Sequence, residues 1–357
     1  MEKIDRLRGR LGGDPDLKVW YGQSWFWQKG SGMNRRAFVR LLVVGLACAA
    51  IFVFSCRRSQ PPETMESVRM GYLPITSDAS FFVAVEKGLF KARGLQVEPI
   101  KFETSNQALE ALIAGRIDAT AIVALEAALA LEANTPDQFR IIEMTAATAD
   151  TKVHRIVVKT DSPIKTLADL RGKKVGTFPG SQMVVFLKLI LGRYFDAERE
   201  VEIVQLKPPL QPQALESGQV DALFCLEPTG TLLESKGLAR TISVNPLYEF
   251  IQKPFPTAVS VVSARMATEK PKVVGRIIAG LTAAHQFLKA HPEEAALTFL
   301  KYAPVDSNIV AKVALYDNWG PDTMDRDSVQ TLADLYAEKG VLPKRVATAG
   351  LYFVAGR

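Results

Sequence analysis

From residue 67 onward the chain reads as short apolar blocks whose spacing switches between a strand period and a helix period. Wholly apolar or alternating runs predict strands over 67–73, 95–102, 118–123, 140–144, 154–159, 173–176, 201–206, 221–226 and 241–244. Helically spaced runs between them predict helices over 80–90, 107–114, 125–132, 183–194, 213–216 and 228–235. Thr104, Ser105 and Asn106 supply capping chemistry ahead of the second helix, and Gly115 stands just behind it. A return segment over 257–263 leads into a helical tail, with helices over 272–290, 292–302, 308–316 and 328–339. Strands alternating with helices predict an α/β fold of parallel βαβ units, each sheet covered on both faces.

The pattern contains an internal echo. Gln107-Ala108-Leu109-Glu110 is followed by Gly115-Arg116-Ile117-Asp118-Ala119, and Gln213-Ala214-Leu215-Glu216 by Gly218-Gln219-Val220-Asp221-Ala222. The spacers that follow differ in length, so this is one supersecondary unit used twice rather than a solenoid period. It implies two similar lobes, each presenting strand ends and helix N-termini to the other.

The stretch 174–182 concentrates candidate chemistry. A short strand ends at Gly176, Thr177 to Gly180 are turn residues, and Ser181 is placed to cap the following helix. Such a turn aims free N–H groups and the positive end of a helix dipole at one point, which suits a carboxylate, sulfonate, nitrate or phosphate. No Lys-Ser/Thr follows the glycine and the dinucleotide spacing is absent, so it is not a nucleotide loop. An ordinary strand-to-helix turn that binds nothing is the alternative.

Charge changes the picture only at the N-terminus. The net charge is +6, but residues 1–40 hold five of those six charges, leaving +1 from Cys56 onward. A near-neutral body gives no electrostatic case for nucleic acid. Arg35, Arg36 and Arg40 precede the uncharged run 41–55, which ends at Cys56, the order of a secretory signal. Residues 34–40 resemble the twin-arginine export motif, departing at Asn34, and Val53-Phe54-Ser55-Cys56 resembles a lipobox that would lipidate Cys56. An uncleaved anchor competes with the lipoprotein, although 41–55 is short of the roughly 20 apolar residues of a spanning helix. Residues 57–66 then form a tether, and 1–32 an extension ahead of a start at Met33. Beyond Cys48 and Cys56 in the leader only Cys225 remains, in an apolar run that suits an inert buried thiol.

A family resemblance rests on several of these residues. Gly71-Tyr72-Leu73-Pro74, residues 82–90 and Gly94-Leu95-Gln96-Val97-Glu98 resemble the opening of type II periplasmic solute-binding proteins. The nearest branch is the NMT1/THI5-like one, serving sulfonate, taurine, nitrate and thiamine-precursor ABC importers. Residues 111–119, 167–175 and Asp221-Ala222 with Glu227-Pro228 continue the resemblance, which covers 68–263. It implies two Rossmann-like α/β lobes with a ligand cleft between them and hinge closure around the ligand. Lobe one is discontinuous, 67–155 with 256–357, lobe two is 156–255, and the crossovers fall at 153–160 and 255–263.

By the same resemblance the cleft positions are Thr76, Ser77, Phe81, Ser105, Asn106, Glu126, Thr177, Gly180, Ser181, Gln182 and Glu227. Ser181 and the amides near Gly180 suit an anionic or carbonyl group, while Glu126 and Glu227 suit an amine, Glu227 the more strongly. A zwitterion, an amino-sulfonate or an aminopyrimidine therefore fits better than nitrate. Each Glu also has a plainer reading as a helix-start residue favoured by the dipole. Phe81, Phe82 and Tyr72 either stack on a flat ligand or belong to the core. The implied partners are a small-molecule ligand, an ABC permease with its ATPase, and the membrane through an N-terminal lipid; the protein is expected to be a monomer with no cofactor and no metal.

His154, His285 and His291 are the only histidines, and no Ser/His/Asp set, HExxH motif or cysteine cluster accompanies them. An exported enzyme on the same scaffold, a small-acid dehydratase or a pyrimidine-precursor synthase, remains open, though the cysteine-rich motif of the synthases is missing. So does a sensory role beside a membrane receptor. N-terminal sequencing of the precursor is expected to begin at Met33; a precursor beginning at Met1 overturns that start.

Overall fold

The computed structural model describes residues 65–303 and 305–354. The predicted extension, signal segment, Cys56 and nearly all of the tether lie outside the described residues. The first elements are β1 (Glu66–Tyr72), α1 (Ala79–Glu86), β2 (Leu95–Lys101), α2 (Ser105–Ile113), β3 (Ala119–Thr120), β4 (Val123–Ala124), α3 (Leu125–Asn134) and β5 (Phe139–Ala147). A second group follows with β6 (His154–Lys159), β7 (Lys174–Thr177), α4 (Ser181–Leu191), β8 (Glu202–Gln205) and α5 (Gln211–Glu216). It closes with β9 (Ala222–Leu226), α6 (Thr229–Ser235), β10 (Ala239–Val244) and α7 (Pro246–Phe250). The chain then runs through β11 (Phe255–Ser263), α8 (Ala264–Glu269), α9 (Pro271–Ala290), α10 (Pro292–Phe299), β12 (Asp317–Trp319) and α11 (Arg326–Glu338).

These strands form two sheets. The first has the order β12-β5-β11-β3-β1-β2, with β4 also paired to β11, and the second has the order β10-β6-β9-β7-β8. β1 runs parallel to β2 and β3, and β7 parallel to β8 and β9, as the βαβ pattern predicts. The strands that carry the chain between the sheets do not. β11 is antiparallel to β3, β4 and β5, and β6 is antiparallel to β9 and β10, so both sheets are mixed. The chain leaves the first sheet along β5 and returns along its neighbour, which forces the returning strand to run the other way.

Apolar side chains on one face of the first sheet pack with α1, α9 and α10 around Phe81, Phe82, Ile277 and Phe299. A second cluster includes Leu125 and Met144 of the first sheet region, Phe186 and Phe224 of the second, and Tyr336 of the tail. The predicted helix over 308–316 does not form. Ile309, Val310 and Val313 are buried as its spacing requires, but regular structure there amounts to a 3₁₀ turn at Val310–Lys312, followed by the edge strand β12. α7, α8 and β12 had no sequence forecast, and the single strand over 118–123 is divided into β3 and β4.

The echo in the sequence is an echo in hydrogen bonding. Asp118 Oδ2 accepts from Arg69 N at 2.9 Å while Asp118 N donates to Arg69 O at 2.9 Å. Asp221 does the same with Lys174, both bonds being 2.8 Å. Each aspartate thus pins the first parallel strand of its sheet. Close packing repeats as well: a Cβ on Gly71 would meet Ile117 Cδ1 at 2.8 Å, and one on Gly176 would meet Leu223 Cδ2 at 2.6 Å. Gly176→Ala is expected to cost about 1–3 kcal/mol by overpacking. Gly275→Ala, in the exposed interior of α9 with nothing near its Cβ, should gain up to about 1 kcal/mol. Thermal unfolding of the two variants checks the contrast; equal midpoints would refute it.

Candidate functional site

The candidate positions singled out from the sequence follow β1, β2, β4, β7 and β9, at the starts of α1, α2, α3, α4 and α6. α1, α3 and α4 each begin without a cap bond from the side chain at the capping position, so among the described residues that position leaves their first N–H groups and positive dipole ends uncapped. α2 differs: Thr104 Oγ1 accepts from Gln107 N at 3.2 Å. Next to it, Ser105 Oγ accepts from Ala124 N at 2.9 Å, which joins the 104–106 loop to the start of α3. Asn106 is exposed, Ser77 is half-buried, and Thr76 is buried in a 3₁₀ turn.

At α4 the capping position is Gly180, with φ 131°, rather than Ser181, which is the first helical residue and is described by its backbone alone. The positive φ takes Gly180 out of the helix and moves the cap back by one. The Gly180 amide, expected to face an anion, donates instead to Gln205 Oε1 at 2.7 Å. Thr177 is fully buried and its hydroxyl has no hydrogen-bond partner among the described residues.

The two sheets meet around Tyr336. Gln182 Nε2 on α4 donates to the Tyr336 hydroxyl on α11, and the rings of Phe186 and Tyr336 lie 5.6 Å apart. Burial, with the Glu126 charge adding to it, pushes the Tyr336 phenol far above its ordinary range, so it stays a neutral donor. Glu126 itself is half-buried in the first turn of α3, and no cation lies within ion-pair distance of it among the described residues. Burial raises its carboxyl above the usual value. Glu126, Gln182 and Tyr336 therefore gather at one seam, drawn from three helices. Tyr336 could not be foreseen, because its helix lies far down the tail and carries no local ligand-binding signal.

Two predicted contacts are corrected. Phe81 is fully buried and packs with Tyr72 at 5.7 Å and Phe90 at 6.2 Å, so its ring is core and offers no stacking face. Glu227 already has a cation, with Arg155 Nη2 2.7 Å from its Oε1 and Thr231 N donating to Oε2 at 3.3 Å. Arg155 also pairs with Glu234, and the Glu227 side chain is 2% exposed. The amine expected from a ligand is thus supplied by the protein.

Other titratable groups are settled by burial. His154 is driven down to about 3 and stays neutral, 3.2 Å from the Tyr316 hydroxyl. Burial pushes the Cys225 thiol up to about 12, which makes it a poor nucleophile. Asp78, an unforecast residue of the first loop, is wholly buried and accepts from Leu73 N at 2.6 Å; burial lifts it well above the carboxylate range. Among the described residues no group of three His, Cys, Asp or Glu side chains could hold a metal ion.

Comparison with known proteins bears on this geometry. The pattern of the NMT1-like family matches residues 60–300. A provisionally named binding protein of Brucella abortus is 29% identical over 241 residues, covering 67% of this chain and 72% of that one. A provisionally named aliphatic sulfonates-binding protein of Bacillus subtilis is 27% identical over 253 residues, covering 70% and 73%. The periplasmic aliphatic sulphonate binding protein SsuA of Escherichia coli superimposes with a TM-score of 0.67 at 20% identity, over 81% of this chain and 97% of its own. The desulfurization enzyme DszB shares the fold too, at a TM-score of 0.59 and 18% identity over 80% and 96%.

Glu227→Ala leaves Arg155 in a buried setting with Glu234 alone, which should cost about 2–3 kcal/mol. A thermal midpoint lowered by roughly 5 °C or more is the expected result. An unchanged midpoint would mean that Glu227 is not a structural partner.

Proposed function

The chain belongs to the NMT1-like family, and we propose that it is the extracytoplasmic solute-binding component of an ABC importer, holding an amino-sulfonate between its two sheets. The observation that carries the reading is Glu126, a half-buried carboxylate with no cation near it among the described residues, joined through Tyr336 to Gln182 in the first turn of α4. A sulfonate has three acceptor oxygens for helix N–H groups and for the Tyr336 hydroxyl, and an ammonium is the natural counter-ion for Glu126. The family, and relatives named for sulfonates or for binding, support the same class. The lobes are 67–155 with 256–357, and 156–255, moving about the crossovers; a ligand that touches both stabilises the closed arrangement over the open one. The permease, its ATPase and a lipid on Cys56 complete the proposal.

A thermal-shift panel of taurine, alkyl sulfonates, nitrate, bicarbonate, aminopyrimidines and chorismate-like acids tests it. Taurine at a hundred times its Kd should add about 2.7 kcal/mol, a rise of several degrees. Glu126→Gln should weaken taurine tenfold or more and change alkyl sulfonate binding little, since only taurine carries the ammonium. Recovery of the ligand unchanged supports the carrier. Sulfite or another product in its place makes the protein an enzyme, and silence to every sulfonate overturns the ligand class.

A further inference from the structure

Away from the seam, on the α9 face of the first sheet, lies a cavity of about 290 Å³. Glu143 of β5 is its polar floor, Ile278 and Leu281 are its apolar wall, and Thr282, His285 and Asn318 border it. None of the seam residues lines it. Glu143 is 3% exposed. Its Oε2 lies 2.8 Å from Ser260 Oγ, while Oε1 accepts from Asn318 Nδ2 at 3.1 Å and lies 3.4 Å from His285 Nε2. An ionised carboxylate offers about four acceptor sites. Three face these partners, which leaves one for a donor inside the cavity.

We propose that this cavity is a second binding site, for a small primary ammonium on a short alkyl body. The ammonium donates to Glu143 and the alkyl part lies on Ile278 and Leu281. Burial holds the free carboxyl at about 7, so near neutral pH binding expels its proton to solvent and leaves a carboxylate paired with the ammonium. The other charged or titratable groups nearby are His285 and Lys289 on α9, Asp322 after β12, and Asp78 ahead of α1. Lys289 and Asp322 are both exposed at the rim.

Ser260 joins Glu143 to the link between β3 and β4. It has one hydroxyl proton and two acceptors within reach, Glu143 and the Ala121 carbonyl. When Glu143 is protonated, Glu143 donates to Ser260 and Ser260 donates to Ala121 O. When Glu143 is ionised, Ser260 turns its proton to the carboxylate and the Ala121 carbonyl loses its donor. Ala121 lies in the short link between β3 and β4.

The test is calorimetric titration of n-propylammonium chloride into the full chain at pH 6 and pH 8, in two buffers of different ionisation heat. At pH 6 nearly one proton should be released per ligand bound. The Kd should tighten about tenfold at pH 8, as the ionised fraction of a group near 7 rises from about a tenth to about nine tenths. Glu143→Gln should weaken binding at least tenfold and abolish proton release. Thr282→Trp, which closes the mouth without touching the carboxyl, should weaken it equally and guards against a misfolded Glu143 variant. Tetramethylammonium, with no N–H, should not bind. Three results each overturn the site: no binding by folded protein, affinity unchanged in both variants, or affinity lost in Glu126→Gln with both variants unaffected, which puts the amine at the seam.

Discussion

The pairing of β5 with β11 is the constraint from which the two-sheet arrangement follows. It runs from Phe255 opposite Ala147 to Ser263 opposite Phe139, where the chain that has left the first sheet returns to it. At the exit, Thr145 Oγ1 and Thr257 Oγ1 lie 2.7 Å apart, and Thr257 also donates to Thr145 O at 3.0 Å. Without this return, the residues from α8 onward would have no sheet to cover. α9 and α10 could not pack on α1, and α11 could not bring Tyr336 to Gln182. The seam therefore depends on an antiparallel contact that begins beside it, where the Phe255 ring of β11 lies 5.2 Å from Phe186.

Local signals were legible and distant ones were not. Alternating blocks were readable because strands and helices impose different apolar spacings on their own residues. The Asp118 and Asp221 echo was readable for a sharper reason: a backbone N–H and a backbone C=O of one strand are met by one aspartate, a device that fixes the residue type. The antiparallel direction of the crossovers was not readable, because partners such as Ala147 and Phe255 are separated by a whole second sheet. The segment 308–316 shows the converse. Its apolar positions are buried as a helix would bury them, yet α1, α9 and their neighbours supply that burial to an irregular chain.

The candidate site divides along the same line. Loop chemistry at 104–106 and 177–182 was visible, since caps and turns are written in adjacent residues. What each side chain would find opposite it was not. Gly180 meets Gln205, Glu227 meets Arg155, and Gln182 meets Tyr336 across 154 positions. Each of these partners changes what the loop residue has left to offer a ligand.

The carboxylates show how that difference selects a site. A buried carboxyl is tolerable if it finds a cation or keeps its proton. Glu227 takes the first course with Arg155, while Asp78 and Glu143 take the second and are lifted by burial. Glu126 has taken neither course fully. It is half-buried, burial raises its carboxyl above the usual value, and its charge acts on the Tyr336 phenol. On the function proposed above, a ligand amine would meet Glu126 where the carboxylate is half-shielded from water. On that same proposal, a carboxylate without a cation among the described residues is where a ligand amine would add an ion pair, whereas at Glu227 it would only duplicate Arg155.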